Sequence, residues 1–352
     1  MKPLAYTLSY IFPVFTVLSM LAGGWTLVIV PLLTFGLVPL IELFFRGSTF
    51  NFDKDQSKDR VENPIFDWLL YLIVPVQVFL VGMLVYLCST GHLQGWEIVG
   101  AIFTVGICCG SFGINVAHEL GHRKTKHEQL MSKILLLTSL YMHFFIEHNK
   151  GHHAKVATPD DPASSRKNQT LYAFWFRSVF LSWVSAWHIE NHRLRKHKNP
   201  MLRLDNQMLR FQVIQLATVL GIGVFASWTA CLAFIGSAVV GFLLLETVNY
   251  VEHYGLARNK KANGRYERVQ PHHSWNANHP LGRLLLFELT RHSDHHAYPG
   301  RKYPSLRHFD YSPQLPTGYP GMILLALFPP LFFAVMNPCL ERELNRMDEF
   351  AA

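Results

Sequence analysis

Three groups of histidines carry the chemistry of this chain. His118-Glu119-Leu120-Gly121-His122 places two imidazoles four residues apart, so on a helix they share one face and can reach one metal ion. Glu147-His148-Asn149-Lys150-Gly151-His152-His153 repeats that spacing and adds His153, which leaves the helix about 100° away and can address the same ion or a second one. Arg291-His292-Ser293-Asp294-His295-His296 has i, i+3 and i+4 spacing. Taken alone, the first string matches H-E-x-x-H, in which two histidines hold zinc and the glutamate acts as a base, so an intramembrane metalloprotease is one reading. Three groups exceed what such a protease needs, and no aspartate lies in the later apolar runs to complete a zinc site. Eight imidazoles divide naturally over two metals, with positions left open for an oxygen ligand. Imidazole suits Zn, Cu, Fe or Ni, so the spacing does not name the metal. His253, in Asn249-Tyr250-Val251-Glu252-His253-Tyr254-Gly255, stands open between a ninth ligand and a member of an interfacial Tyr/His belt. His127, His188, His192, His197 and His308 read as surface residues, and His272, His273 and His279 as surface or supporting groups in a Pro/Asn-rich loop.

These groups need a scaffold, and the composition says which. Half of the 352 residues are apolar and 16% are charged, against roughly 25% in ordinary soluble domains. Disorder and nucleic-acid binding are poor readings of such a chain. A helix crossing a bilayer needs about 20 mostly apolar residues, and six runs qualify: Leu4–Leu21, Trp25–Phe45, Ile65–Leu87, Trp96–Ala117, Phe211–Trp228 and Cys231–Val251. Short connectors at Ala22-Gly23-Gly24, Cys88–Gly95 and near Thr229 make three helical hairpins. The first run is not expected to be a cleaved signal peptide, since a second span follows with no processing site between them.

The 32 basic residues all fall outside those three connectors, 15 of them between Arg123 and Arg210. By the positive-inside rule both termini are expected in the cytoplasm, with the histidine groups on the same side. The apolar segments Ile134–Ile146 and Leu171–Trp187 are expected as buried or interfacial helices, the second with a re-entrant or spanning alternative. Met322–Met336, broken by Pro329-Pro330, should pack on the interface. The expected fold is therefore all-α: a polytopic membrane protein with six transmembrane helices, a cytoplasmic helical cap carrying the histidine clusters, and one domain over residues 1–352. Five cysteines with no C-x-x-C pair provide no rubredoxin-type iron site, so electrons, if used, must come from another protein.

The histidine groups resemble the histidine boxes of the membrane-bound desaturase and hydroxylase superfamily. In particular the strings His118–Lys124, Glu147–His153, Asn249–Gly255 and Arg291–Ala297 resemble the integral-membrane alkane 1-monooxygenases, and the likeness runs across nearly the whole chain, including Thr158–Arg166. Thr290 departs from the Gln expected before Arg291 and touches no ligand position. The resemblance implies a non-haem di-iron enzyme that inserts one atom of O₂ into the terminal C–H bond of a medium-chain n-alkane. Two electrons would come from rubredoxin, reduced by an NADH-dependent rubredoxin reductase, and the location would be the bacterial cytoplasmic (inner) membrane. It also makes His253 a ligand beside His118, His122, His148, His152, His153, His292, His295 and His296. The nearest alternatives are a methyl-arene hydroxylase and a fatty-acid desaturase or hydroxylase, and the Asn-Tyr-x-Glu-His-Tyr-Gly string argues against a desaturase. A metal transporter would carry its ligands at mid-span rather than at one edge.

An alkane offers only methylenes to bind, each worth about 0.8 kcal/mol on burial, so an apolar tunnel fed from lipid is the expected substrate site. Trp25 or Phe35 can limit chain length there, or simply pack between helices. Glu119, Glu147, Glu252 and Asp294 adjoin ligands in sequence and are candidates for fixing imidazole tautomers or holding protons, or for balancing the basic face. That face has two uses, contact with anionic lipid and steering of an acidic electron donor.

Overall fold

The computed structural model describes residues 2–45, 47–196 and 205–351; His197 lies outside them. Among the described residues the chain is helical, with isolated bridges and no strand. Six helices are long and apolar enough to cross a membrane: Pro3–Ala22, Gly24–Phe44, Pro64–Ser89, Trp96–Gly121, Gln207–Phe225 and Trp228–His253, called spans 1 to 6 below. The expected set is present, with shifts at its ends. Span 4 continues through the first histidine of its box to Gly121, and span 6 continues to His253. The last hairpin turns before Trp228 rather than near Thr229, because Ser227 caps span 6 by accepting the Ala230 N–H on its hydroxyl at 3.1 Å.

The chain forms two compact units, each drawn from separated segments: residues 1–33, 65–151 and 182–245 in one, residues 34–64, 152–181 and 246–352 in the other. In the first unit the close crossing of spans 4 and 6 depends on small residues. A Cβ on Gly110 would lie 2.8 Å from the Gly241 carbonyl oxygen and 2.9 Å from a Leu244 methyl. Gly110 sits in a π-helical turn, Cys109–Ile114, inserted just before the segment that bears His118. Gly110→Ala should therefore lose stability although alanine is the better helix former by about 1 kcal/mol. Overpacking against backbone costs about 1–3 kcal/mol, and a lowered unfolding midpoint in detergent is the expected result.

In the second unit an aromatic core of Phe174, Tyr250, Tyr254, Trp275, Tyr319 and Phe332 surrounds the end of span 6. The helix expected over Leu171–Trp187 is observed as Leu171–Lys196. It buries Phe174 against Tyr250, with ring centroids 5.4 Å apart, and leaves Phe176 83% exposed. Arg177 turns inward to donate to the Ser164 carbonyl at 2.7 Å. The C-terminal apolar run becomes two helices, Tyr319–Ala326 and Pro329–Ala351, with Pro329-Pro330 in the first turn of the second, where a missing N–H costs nothing.

Candidate metal centre

In the first unit, the end of span 4 presents His118, His122 follows one helical turn later as the residue that caps the span, and the turn following Phe144–Glu147 brings His148 to them. The His148 and His122 Nε2 atoms are 3.1 Å apart, and the His118 and His148 ring centroids 4.3 Å apart. The second unit holds a closed cage of four imidazoles, His152, His253, His292 and His296, all buried, with one nitrogen of each within 4.8 Å of the others. Their Nε2 atoms meet in pairs, His152 with His296 at 3.2 Å and His253 with His292 at 3.3 Å. His153 and His295 form a further pair in the same unit, Nε2 to Nε2 at 3.1 Å. All nine expected histidines thus face other imidazole nitrogens.

Such a donor set fits a cation. Neutral imidazoles turned nitrogen to nitrogen hold lone pairs that water cannot reach, and a metal ion satisfies them together. Burial first, and then the neighbouring imidazoles, push His296 well below the usual histidine range, which keeps it neutral as a ligand must be. His272 and His273 lie with Glu267 in a separate group, where the Gln270 N–H donates to His273 Nδ1 at 3.0 Å. That bond puts the ring proton on Nε2, which faces Glu267 at 3.3 Å, so the ring is arranged to donate.

The four candidate carboxylates have different surroundings. Glu119 is paired with Arg123 at 2.7 Å, and Arg123 also meets Asp67 of span 3 at 3.2 Å. Glu147 is buried against the Cα of Gly151, where any side chain would collide with it. Asp294 accepts from Arg301 and, at 2.8 Å, from the Arg307 N–H, which pins the helix His292–Ala297 by its acid. Burial raises the pKa of Asp294 and Arg301 pulls it back, with a net rise. Glu252 alone of the four lies in a span ending at the cage, with Oε2 3.1 Å from His292 Nε2.

One supporting group escaped the sequence reading. His152 Nδ1 donates to Asp161 Oδ2 at 2.9 Å, and both side chains are buried. Ser164 Oγ donates to the same oxygen and the Ala163 N–H to Oδ1 at 3.2 Å. Burial raises the Asp161 pKa, but the His152 imidazole and these hydrogen bonds outweigh it and hold the carboxyl below its ordinary value. The signal was the Thr158-Pro-Asp-Asp-Pro turn soon after the second box, in which Asp160 is exposed and Asp161 is not. Nor is the basic complement all surface: Arg123, Arg283 and Arg291 are buried. Arg291 donates to the carbonyls of Phe50 and Leu306, both at 2.8 Å, tying the loop after span 2 to the third box. Trp25, a candidate for limiting chain length, is 79% exposed and packs on Trp96 with centroids 5.2 Å apart, so helix packing describes it better.

His143 was assigned no role, and it is fully buried, its pKa pushed down to about 3 by burial. Unfolded, it titrates near 6.5. The folded form therefore binds the proton less well, so its contribution is complete above about pH 6.5 and is lost as pH falls from there toward 3. His143→Phe is expected to flatten the acid limb of stability against pH in that window, measured by thermal unfolding between pH 7 and 4.

A helical membrane scaffold with histidines at box spacing, gathered nitrogen to nitrogen, defines a histidine-ligated metalloprotein of the membrane. The fatty acid desaturase family model matches residues 94–326, which contain all nine histidines. The alkane 1-monooxygenase 2 of Pseudomonas aeruginosa is 43% identical over 309 residues, 86% of this chain and 81% of the relative. An alkane 1-monooxygenase of Pseudomonas putida is 40% identical, covering 86% and 75%. The xylene/toluene monooxygenase hydroxylase component of Pseudomonas putida is 28% identical, covering 80% and 76%. The chain belongs to the fatty acid desaturase family and, within it, to the alkane 1-monooxygenases.

Proposed function

We propose that the chain is a non-haem di-iron alkane 1-monooxygenase converting medium-chain n-alkanes to 1-alkanols with O₂. The observation that carries this reading is the buried four-imidazole cage in a chain 43% identical to an alkane 1-monooxygenase. His152, His253, His292 and His296 would hold one iron, and His118, His122 and His148 of the first unit and His153 and His295 of the second are the remaining candidate ligands. When bound, the irons supply activation of O₂ for insertion into an unactivated C–H bond. The protein contributes the rest. Apolar span residues bind the alkane by burying its methylenes, at about 0.8 kcal/mol each. Asp161 holds His152 in the tautomer with Nε2 free to coordinate. Glu119, Glu147, Glu252 and Asp294 remain the candidate carboxylates around the boxes. The whole chain acts as one domain of the bacterial inner membrane, its termini and histidines cytoplasmic, with rubredoxin and its NADH-dependent reductase as electron source. All five cysteines are free, and four of them are buried, which supports an external donor.

The methyl-arene hydroxylase reading is favoured only by the 28% relative, against seven alkane 1-monooxygenases at 37–43%. For the protease reading, the Glu119 ion pair with Arg123 removes the free base that reading requires. The deciding experiment supplies purified protein in lipid with rubredoxin, its reductase, NADH and octane under ¹⁸O₂. Labelled 1-octanol is expected, in preference to labelled benzylic alcohol from p-xylene. One zinc per chain, or no labelled alcohol from a competent electron supply, would overturn the proposal.

A further inference from the structure

Just after span 6, residues 257–268 turn back on themselves. Lys260 and Tyr266 pair in an antiparallel bridge, the Lys261 N–H donates to the Arg265 carbonyl at 2.8 Å, and Gly264 sits at the tip with a φ of +76°. This hairpin holds five basic residues and a single acid, Glu267. The acid is turned inward: Glu267 Oε1 accepts the Asn259 N–H at 2.8 Å and lies 3.3 Å from His273 Nε2. Arg258 is an anchor, donating to the Ala154 carbonyl at 2.8 Å beside the second histidine box, while its backbone N–H donates to the Ala157 carbonyl at 2.8 Å. Lys260, Lys261, Arg265 and Arg268 are left exposed, a cationic surface with no acid between them except the inward Glu267.

The base of the hairpin leads to the cage in short steps. The His273 ring that faces Glu267 is buried, the next residue is Ser274, and the Ser274 hydroxyl lies 3.4 Å from His253 Nδ1. From Glu267 to a cage imidazole the path crosses two gaps, of 3.3 and 3.4 Å, and the rest is covalent. Electron tunnelling weakens steeply with each through-space gap, so such a path favours a donor seated on the hairpin. The composition of the hairpin separates a protein partner from lipid. A loop lying in a membrane interface anchors itself with Trp, Phe or Leu beside its cations, and residues 257–268 contain none of these. Their one aromatic, Tyr266, packs within the hairpin, with Lys260 Nζ 5.2 Å from its ring centre. Cations without apolar anchors suit a soluble acidic surface, which they steer by charge.

We propose that residues 257–268 form the docking surface for a small acidic one-electron carrier protein, with Lys260, Lys261, Arg265 and Arg268 meeting its carboxylates and Glu267, His273 and Ser274 forming the electron path to His253. This rests on the monooxygenase reading given above. Each visit oxidises the carrier by one electron and reduces the metal site by one, and two visits supply the electrons in R–H + O₂ + 2e⁻ + 2H⁺ → R–OH + H₂O.

The test uses the full chain in neutral phosphatidylcholine nanodiscs with rubredoxin as the carrier. Wild type is compared with Lys260→Glu/Lys261→Glu/Arg265→Glu/Arg268→Glu, and with Lys54→Glu/Lys58→Glu on the exposed helix Lys54–Glu62 as the charge-reversal control. Kd for rubredoxin is measured against salt concentration, a readout that needs no turnover. In the hairpin variant Kd should rise about tenfold or more and lose most of its salt dependence, and the control should bind like wild type. Iron per chain, and 1-octanol formed when dithionite and methyl viologen replace the carrier, should stay at wild-type values in the hairpin variant. His273→Phe should slow the oxidation of bound rubredoxin, followed by stopped-flow absorbance, without raising Kd; an unchanged rate would overturn the path. In the wild type, rubredoxin should protect the amides of residues 259–267 from hydrogen exchange. Wild-type Kd and salt dependence in the hairpin variant would overturn the docking surface and leave the monooxygenase reading intact. So would protection of those amides by phosphatidylglycerol nanodiscs and not by rubredoxin, which would assign the hairpin to lipid. If rubredoxin neither binds nor reduces the wild type although dithionite supports octanol formation, the donor reading itself falls.

Discussion

Replacing His253 by alanine is expected to abolish alkane hydroxylation while leaving the chain folded in the membrane. His253 is fully buried, and its Nε2 faces His292 at 3.3 Å inside a cage of four imidazoles. Its other nitrogen lies 3.4 Å from the hydroxyl of Ser274, so the ring is held at both ends. Removing it leaves three histidines and a hole at the one place where the cage faces span 6. Groups that merely support a metal ligand change affinity or activity by about 10–100-fold when removed, and loss of a ligand should exceed that. The measurement is 1-octanol formation together with iron per chain. Activity should fall by more than about a hundredfold and iron from about two toward one. His127→Ala, at a histidine outside the boxes, is the control and should retain both. A His253→Ala enzyme with full iron and near-normal turnover would remove His253 from the ligand set.

That residue also shows how far a sequence can be read. From spacing alone His253 stood between a ligand and an interfacial belt, because one histidine at a helix end has no partner within a turn. Its partners, His152, His292 and His296, come from 39 or more positions away and meet it only when the chain folds. The six spans were legible because lipid demands long apolar runs, and their number holds. Their ends were less so, since a hydropathy run does not register capping. Asn206 accepts the Leu209 N–H at 3.1 Å and starts span 5 at Gln207, four residues ahead of the apolar run. Ser227 does the same for span 6, so Trp228 begins that span although it extends the preceding run. Charge was read as surface, and this failed where a guanidinium found enough acceptors to be buried, as Arg291 did on the carbonyls of Phe50 and Leu306. Candidate carboxylates were chosen because they adjoin ligands in sequence. The fold instead gives His152 a partner nine residues away, in a turn where two adjacent aspartates look alike until one is buried.

Asp161→Asn should therefore be among the most damaging changes outside the histidines, and its reason is a proton. In the native arrangement Asp161 can only accept, so His152 must carry its hydrogen on Nδ1 and leave Nε2 with a lone pair for the metal. Asparagine keeps the volume but offers both an acceptor and a donor. Ser164 Oγ and the Ala163 N–H both donate to the native carboxylate, and they compete for the amide oxygen. With that oxygen turned to them, the amide N–H₂ faces His152 Nδ1 and donates to it, so the ring hydrogen moves to Nε2 and blocks coordination. The expected loss is about 10–100-fold in iron affinity of the cage or in turnover. Asp161→Ala should be no better, since it also strips Ser164 and Ala163 of their acceptor inside the fold. Ser164→Ala removes one donor but leaves the carboxylate on His152, so it should cost much less than Asp161→Asn. Initial rates of octane hydroxylation and iron retention under a chelator, compared across the three variants, decide the matter. If Asp161→Asn retains iron and turns over like wild type while Ser164→Ala does not, Asp161 is fixing the local turn rather than the tautomer of His152.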